Sequence, residues 1–175
     1  ERNVEETKEF VKLAADVGAV GVKVRPNGLQ EEAGVPAEKT LTQIGLALRE
    51  CGEFAQDYDI GLWLEAHGRG TSDLRRIRSI METANHEGVG VCWNSNLTDV
   101  EKGSVKANFA LVKDWIRNVH INELYLESYP WQELFTLLQE SGYRGYTLAE
   151  IPNSPEPERL MRYYRALWLE LTRDP

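Results

Sequence analysis

Five short segments rich in valine, leucine and isoleucine, centred on Val22, Leu62, Val91, Val119 and Leu148, recur along the chain at a first interval of 40 residues and then at 29, 28 and 29. Segments of this composition read as β-strands, and a repeat of about 30 residues is that of a βα unit, one strand with its crossover helix. The repeat restricts the chain to an α/β fold with a parallel sheet. The longer first interval is taken up by the stretch from Pro26 to Lys39, whose proline, glycine and glutamate content marks an exposed insertion of the kind that often covers a site.

Helical periodicity fills the spaces between the strands. Leu41, Ile44, Ala47, Leu48, Cys51, Phe54 and Ala55 share one helical face, and Leu74, Ile77, Ile80, Met81 and Ala84 share another, on a helix expected to begin near Ser72. Further helices are expected around Val105, Phe109 and Val112 and around Leu134, Phe135 and Leu138. The last should start at Ser154-Pro155-Glu156, a capping serine followed by proline, and bury Leu160, Tyr164, Leu167, Trp168 and Leu171. A first helix carries Val4, Phe10, Val11, Ala14 and Val17 and ends at Gly18. A chain that opens at Glu1 and passes at once into a helix is expected to be a fragment, a processed product or an incompletely represented chain.

Two-residue alternation separates the faces of the sheet. Val22 and Val24, Leu62 and Leu64, Val119 and Ile121, and Ala149 and Ile151 fall on one face, against helices. The other carries Lys23, Arg25, Trp63, Glu65, His67, Cys92, Asn94, His120, Asn122, Tyr146, Leu148 and Glu150. A doubly wound sheet would be apolar on both faces. One apolar outer face and one inner face that grows polar toward the strand C-termini is the pattern of a (β/α)8 TIM barrel, whose active site lies at that rim. Five strands do not close such a barrel, which needs about 250 residues, so roughly three N-terminal units are expected to be missing. Residues 1–175 then form a single domain, the C-terminal part of a TIM barrel. The two open sheet edges would need a complete chain, a partner fragment or a dimer to cover them.

Composition narrows the function. The formal net charge of −8 disfavours general nucleic-acid or anionic-membrane binding. The two cysteines, Cys51 on a helix and Cys92 in a strand, do not make a disulfide framework and are expected to be buried thiols. No apolar run reaches the ~20 residues that span a bilayer, and no signal-peptide pattern opens the chain, so a cytoplasmic protein is expected.

Glu65, Asn94, His120 and Glu150 end four successive inner faces and offer two carboxylates, an amide oxygen and an imidazole. This donor set suits one divalent ion among Mn2+, Mg2+, Co2+, Fe2+ and Zn2+. For Glu65 alone a salt bridge to Lys23 or Arg25 is the plainer reading; the metal reading rests on the four together. Two cations directed into a barrel need carboxylates or an anionic ligand, so Lys23 and Arg25 are candidates for substrate binding as well. His67 and Asn122, higher on the same face, are further candidates for substrate contact. The loop His67-Gly68-Arg69-Gly70-Thr71, leading into a helix, could cradle an anion on its amides. Trp63 would floor the site, Trp93 would pack under the helices, and His86 would lie at the surface.

The motifs LWLEAHGRGT, GVGVCWNSN, VHINEL and GYRGYTLAEIP resemble, in order and spacing, the last four strand units of the xylose isomerase-like TIM barrels, the sugar phosphate isomerase/epimerase superfamily. VGAVGVKVRPN is similar to the preceding strand. The resemblance implies a metal held by a glutamate, an aspartate, a histidine and a second glutamate, here Glu65, Asn94, His120 and Glu150, with the two glutamates also moving protons. Asn94 departs from the aspartate and should weaken metal binding. Leu97 and Leu126 stand where related ketose 3-epimerases carry a histidine and an arginine, which argues against a free-ketose 3-epimerase. Three histidines are too few for the multi-zinc endonuclease branch of the superfold.

The expectation is therefore a metal-dependent isomerase or epimerase of a sugar or sugar phosphate, working by proton transfer through an enediolate. A sugar or inosose dehydratase using the same site, or a non-catalytic carbohydrate-binding protein, are the alternatives. Homo-oligomerisation is one way to cover the open edges.

Overall fold

The computed structural model describes residues 1–26 and 28–173. Its elements alternate: α1 (Arg2–Asp16), β1 (Gly21–Val24), α2 (Ala37–Gln56), β2 (Gly61–Glu65), α3 (Leu74–Ala84), β3 (Val89–Trp93), α4 (Lys106–Val112), β4 (Ile116–Ile121), α5 (Trp131–Glu140), β5 (Thr147–Ala149) and α6 (Pro157–Leu171). The five strands form one parallel sheet in the order β1-β2-β3-β4-β5, a half-barrel with helices around it. Each strand is thus paired with its neighbours in sequence.

The core lies between the outer face of the sheet and the helices. Leu62, Leu64, Val91, Val119 and Ile121 are buried there against Leu48, Ile77, Ile80, Met81, Phe109, Leu134 and Phe135, while Val22, Val24 and Ile151 are half-buried at its margin. Trp93 is fully buried in this layer, its ring tilted on Phe109 and its Nε1 donating to the Tyr129 hydroxyl at 2.9 Å. The inner face is different: Tyr146 and Leu148 on and beside β5 are exposed, and Trp63 lies across Gly21 and Gly61, where any Cβ would overlap its ring. The side-chain period of two is what separates these surfaces.

Several local expectations are corrected. In α1, Val11 and Ala14 are buried but Phe10 is exposed, as is Val17 just past its end, because only one narrow stripe of the helix meets α2 and β1. The insertion after β1 ends sooner than expected, since Ala37 to Lys39 form the first turn of α2. Ser154 does not cap α6; its Oγ accepts the Glu156 amide at 3.1 Å in a turn, and the helix starts at Pro157. Of the residues assigned to the buried face of α6, only Tyr164 is buried, its hydroxyl donating to the carbonyls of Ile121 and Asn122. Ala149, assigned to the helix-facing side, is exposed. Asn27, within the insertion, lies outside the described residues.

Candidate active site

Parity along the strands brings the polar residues of the inner face together at the C-terminal rim. Glu65 closes β2, Asn94 follows β3, His120 is in β4 and Glu150 follows β5, with the Glu150 amide donating to the Ile121 carbonyl at 2.9 Å. Nδ1 of His120 lies 3.4 Å from Oε1 of Glu65 and 3.4 Å from Oε2 of Glu150. One donor atom from each of these three residues falls within 4.8 Å of the others, so together they could hold a metal ion. The Asn94 side-chain amide joins them, its inward end 3.3 Å from His120 Nδ1. That end of the amide is also 3.3 Å from Oε1 of Glu65 and 2.9 Å from Oε2 of Glu150.

With its oxygen inward, the amide would meet the two carboxylates as acceptor against acceptor, an arrangement that needs a cation between them. A divalent ion fits the set, which mixes carboxylate, amide and imidazole donors. Glu65, Asn94, His120 and Glu150 would be its ligands.

The two carboxylates have different surroundings. Glu65 is completely buried, and its Oε2 accepts from Lys23 Nζ at 2.7 Å and Arg25 Nε at 2.9 Å. Burial alone would push its pKa up, but the hydrogen bonds and charges of the two cations outweigh burial and hold it below the usual carboxylate range. With Oε2 committed to the cations, Oε1 is the atom that faces His120 and Asn94. Glu150 has a half-exposed side chain, and the only basic side chain within ion-pair distance of it among the described residues is His120.

Beneath these residues Cys92 is fully buried, and burial pushes its thiol up to about 12, so it is a neutral floor. Asn118, an inner-face residue not singled out from sequence, donates to its Sγ at 3.6 Å. The register shift between Val91 and Cys92 sets Cys92 opposite Asn118, two residues below His120.

The other candidate residues lie around the cluster. His67 and Arg25 line a hollow of about 710 Å3 with the insertion after β1, where Arg69 pairs with Glu32 at 3.1 Å. Asn122 uses its amide nitrogen to brace the turn after β3, donating to the Ser95 carbonyl at 3.1 Å. Just past the glycine loop, Asp73 caps α3 by accepting the Arg75 amide at 2.9 Å, and the Ser72 amide donates to the Gly68 carbonyl. His86 is half-exposed and accepts from the Gly88 amide. Both cysteines are free and buried. Among the described residues no helix is long and apolar enough to cross a membrane.

Sequence reasoning missed the network behind Asn94. Ser95 has left-handed backbone, φ 48°, and its Oγ donates to the His120 carbonyl at 2.7 Å. Asn96 donates to the Ala66 carbonyl and accepts from Asn94, while buried Asp99 takes the Asn96 amide at 2.8 Å.

Comparison with known proteins agrees with this architecture. A D-tagatose 3-epimerase-like protein has a TM-score of 0.76 at 19% identity, covering 97% of this chain and 69% of its own. 3-Keto-D-glucoside 4-epimerase from E. coli gives 0.75 at 16% identity, covering 96% and 69%. L-ribulose 3-epimerase gives 0.71 at 21% identity, covering 94% and 59%. The chain therefore spans 59% to 69% of the length of these three structures, and at such identities the likeness is one of fold. No curated protein matches by sequence. The family model for the xylose isomerase-like TIM barrel matches residues 1–170, and the chain belongs to that family.

Proposed function

We propose that the protein is a divalent-metal-dependent isomerase or epimerase of a sugar or sugar phosphate, in which residues 1–175 supply the C-terminal part of a TIM barrel and most of its catalytic rim. The observation that carries the reading is the convergence of four donors from four successive strands, with two carboxylates of opposite character among them. Several of the similar structures are sugar epimerases, one solved with D-tagatose and another with D-allulose, which supports the same substrate class.

A bound divalent ion would supply Lewis-acid polarisation of a substrate carbonyl. Glu150, solvent-accessible and without a lysine or arginine partner among the described residues, is the carboxylate suited to take a proton from the carbon beside that carbonyl and return it. Glu65 is held ionised by Lys23 and Arg25, so it is a weak base: it would bind the ion through Oε1 and serve as the second carboxylate of the acid/base pair. Lys23, Arg25 and His67 would contact substrate oxygens, with a phosphate group the natural partner for the two cations. One observation favours a second reading, a carbohydrate-binding protein without turnover: the neutral amide of Asn94 stands among the ligands.

Calorimetric titration of Mn2+ into chelator-treated protein tests the proposal. The expected result is saturable binding that is lost in Glu150→Gln and His120→Ala, followed by conversion of a ketose or ketose phosphate with solvent deuterium entering at the reacting carbon. Binding without conversion would support the second reading, and absence of binding in the parent would overturn the proposal.

A further inference from the structure

We infer that Asn96 is a positioning residue whose side chain sets the direction of the Asn94 amide, turning its oxygen into the ligand cluster. The inference rests on the metal-site reading proposed above.

An asparagine amide has an acceptor end and a donor end of nearly equal shape. The contacts of Asn94 within the cluster alone favour the donor end: turned inward, its nitrogen would lie 2.9 Å from Oε2 of Glu150 and 3.3 Å from Oε1 of Glu65. Hydrogen bonds to ionised groups are stronger than those between neutral groups, so the two carboxylates pull the amide that way. What opposes them lies on the other side. Asn94 Nδ2 donates to Asn96 Oδ1 at 3.2 Å, and Asn96 Nδ2 donates to the Ala66 carbonyl at 2.7 Å. Reversing Asn94 would set its oxygen against the Asn96 oxygen. Reversing Asn96 as well would set that oxygen against the carbonyl of Ala66, which carries no proton. The direction of both amides is therefore dictated by a backbone acceptor at the end of β2.

Backbone geometry brings the two asparagines together. The left-handed Ser95 between them folds the chain so that Asn96 reaches back to Asn94 and across to Ala66, and Asp99 accepts the backbone N–H of Asn96 at 2.8 Å. A neutral ligand needs this help where a carboxylate would not, since both ends of a carboxylate are acceptors. Without Asn96, Asn94 would rest with its nitrogen on the carboxylates, and a cation would have to reverse it before binding.

The test is a double-mutant cycle read by Mn2+ calorimetry, using the parent, Asn96→Ala, Asn94→Asp and the double variant, each checked for folding by thermal melt in chelator. Asn96→Ala is expected to weaken Mn2+ binding about tenfold. In the Asn94→Asp background the same change should cost nothing or tighten binding, because there is no amide to orient. Asn96→Leu, close in shape but with no polar end, serves if Asn96→Ala does not fold and should give the same loss in the parent background alone. Equal losses in both backgrounds, or parent-like binding by Asn96→Ala, would overturn the inference and leave the metal site standing. No binding by the parent overturns both.

Discussion

Nζ of Lys23 lies 2.7 Å from Oε2 of Glu65, a carboxylate fully shielded from solvent, and Arg25 shares the same oxygen. Two cations on neighbouring inward positions of β1 and its end are therefore answered by one buried charge on β2. A buried charge that loses a partner is costly.

Lys23→Met should lower the unfolding free energy of metal-free protein by about 1.5–3 kcal/mol, the usual worth of a hydrogen bond to a charged group. Urea denaturation measures it. Lys23→Arg should recover most of the loss, and an unchanged midpoint in Lys23→Met would mean that Arg25 alone sustains Glu65.

Asp99 gives a pH signature. Burial, the largest influence, pushes its carboxyl up from 3.8 to about 7, against hydrogen bonds from Asn96 and Tyr129 that favour the ionised form. The folded state then holds a proton that the unfolded chain releases. The stabilisation is complete at acid pH and is lost as pH rises toward about 7, at up to about 1.4 kcal/mol per pH unit. Asp99→Asn keeps an acceptor for the Asn96 amide but cannot ionise, so its stability should be flatter between pH 4 and about 7 and higher than the parent's at pH 8. Parallel stability curves for the two proteins would contradict this.

Thr40, on α2, has a buried hydroxyl without a hydrogen-bond partner among the described residues. It lines a cavity of about 350 Å3 with Ile44, Leu48, Leu62 and Leu64. Thr40→Val should raise stability by about 1 kcal/mol, since it removes a desolvated polar group without changing shape. Destabilisation would instead indicate that water in the cavity satisfies the hydroxyl.

Gly21 approaches Trp63 so closely that a methyl group would overlap the indole ring. Gly21→Ala should displace the ring and cost about 1–3 kcal/mol. A denaturant midpoint and near-ultraviolet circular dichroism would both shift; parent-like values in both would show that the ring has room to move.

The strands could be read from sequence because the two faces of a half-barrel meet different surroundings, and alternation records that difference residue by residue. Lys23, Glu65, Asn94, His120 and Glu150 fall on the inner face by parity alone. Helix margins were harder to read. The apolar residues Phe10 and Val17 continue a helical pattern on α1 without being covered, and Ser154 makes a turn where a cap was expected. The Asn96 network was not legible because it depends on Ser95 adopting φ 48°, a conformation that serine seldom takes and composition does not announce.

Because strand order in the sheet is the order in the chain, no strand is inserted between two that were made before or after it. Each pairing closes a loop of a single βα unit, which keeps loop-closure entropy small for a parallel sheet. Assembly can then proceed from one strand to the next, and a perturbation at β1 need not disturb the pairing of β4 with β5. Native-state hydrogen exchange would register this as graded protection across the sheet, with β3 at its centre the last to open.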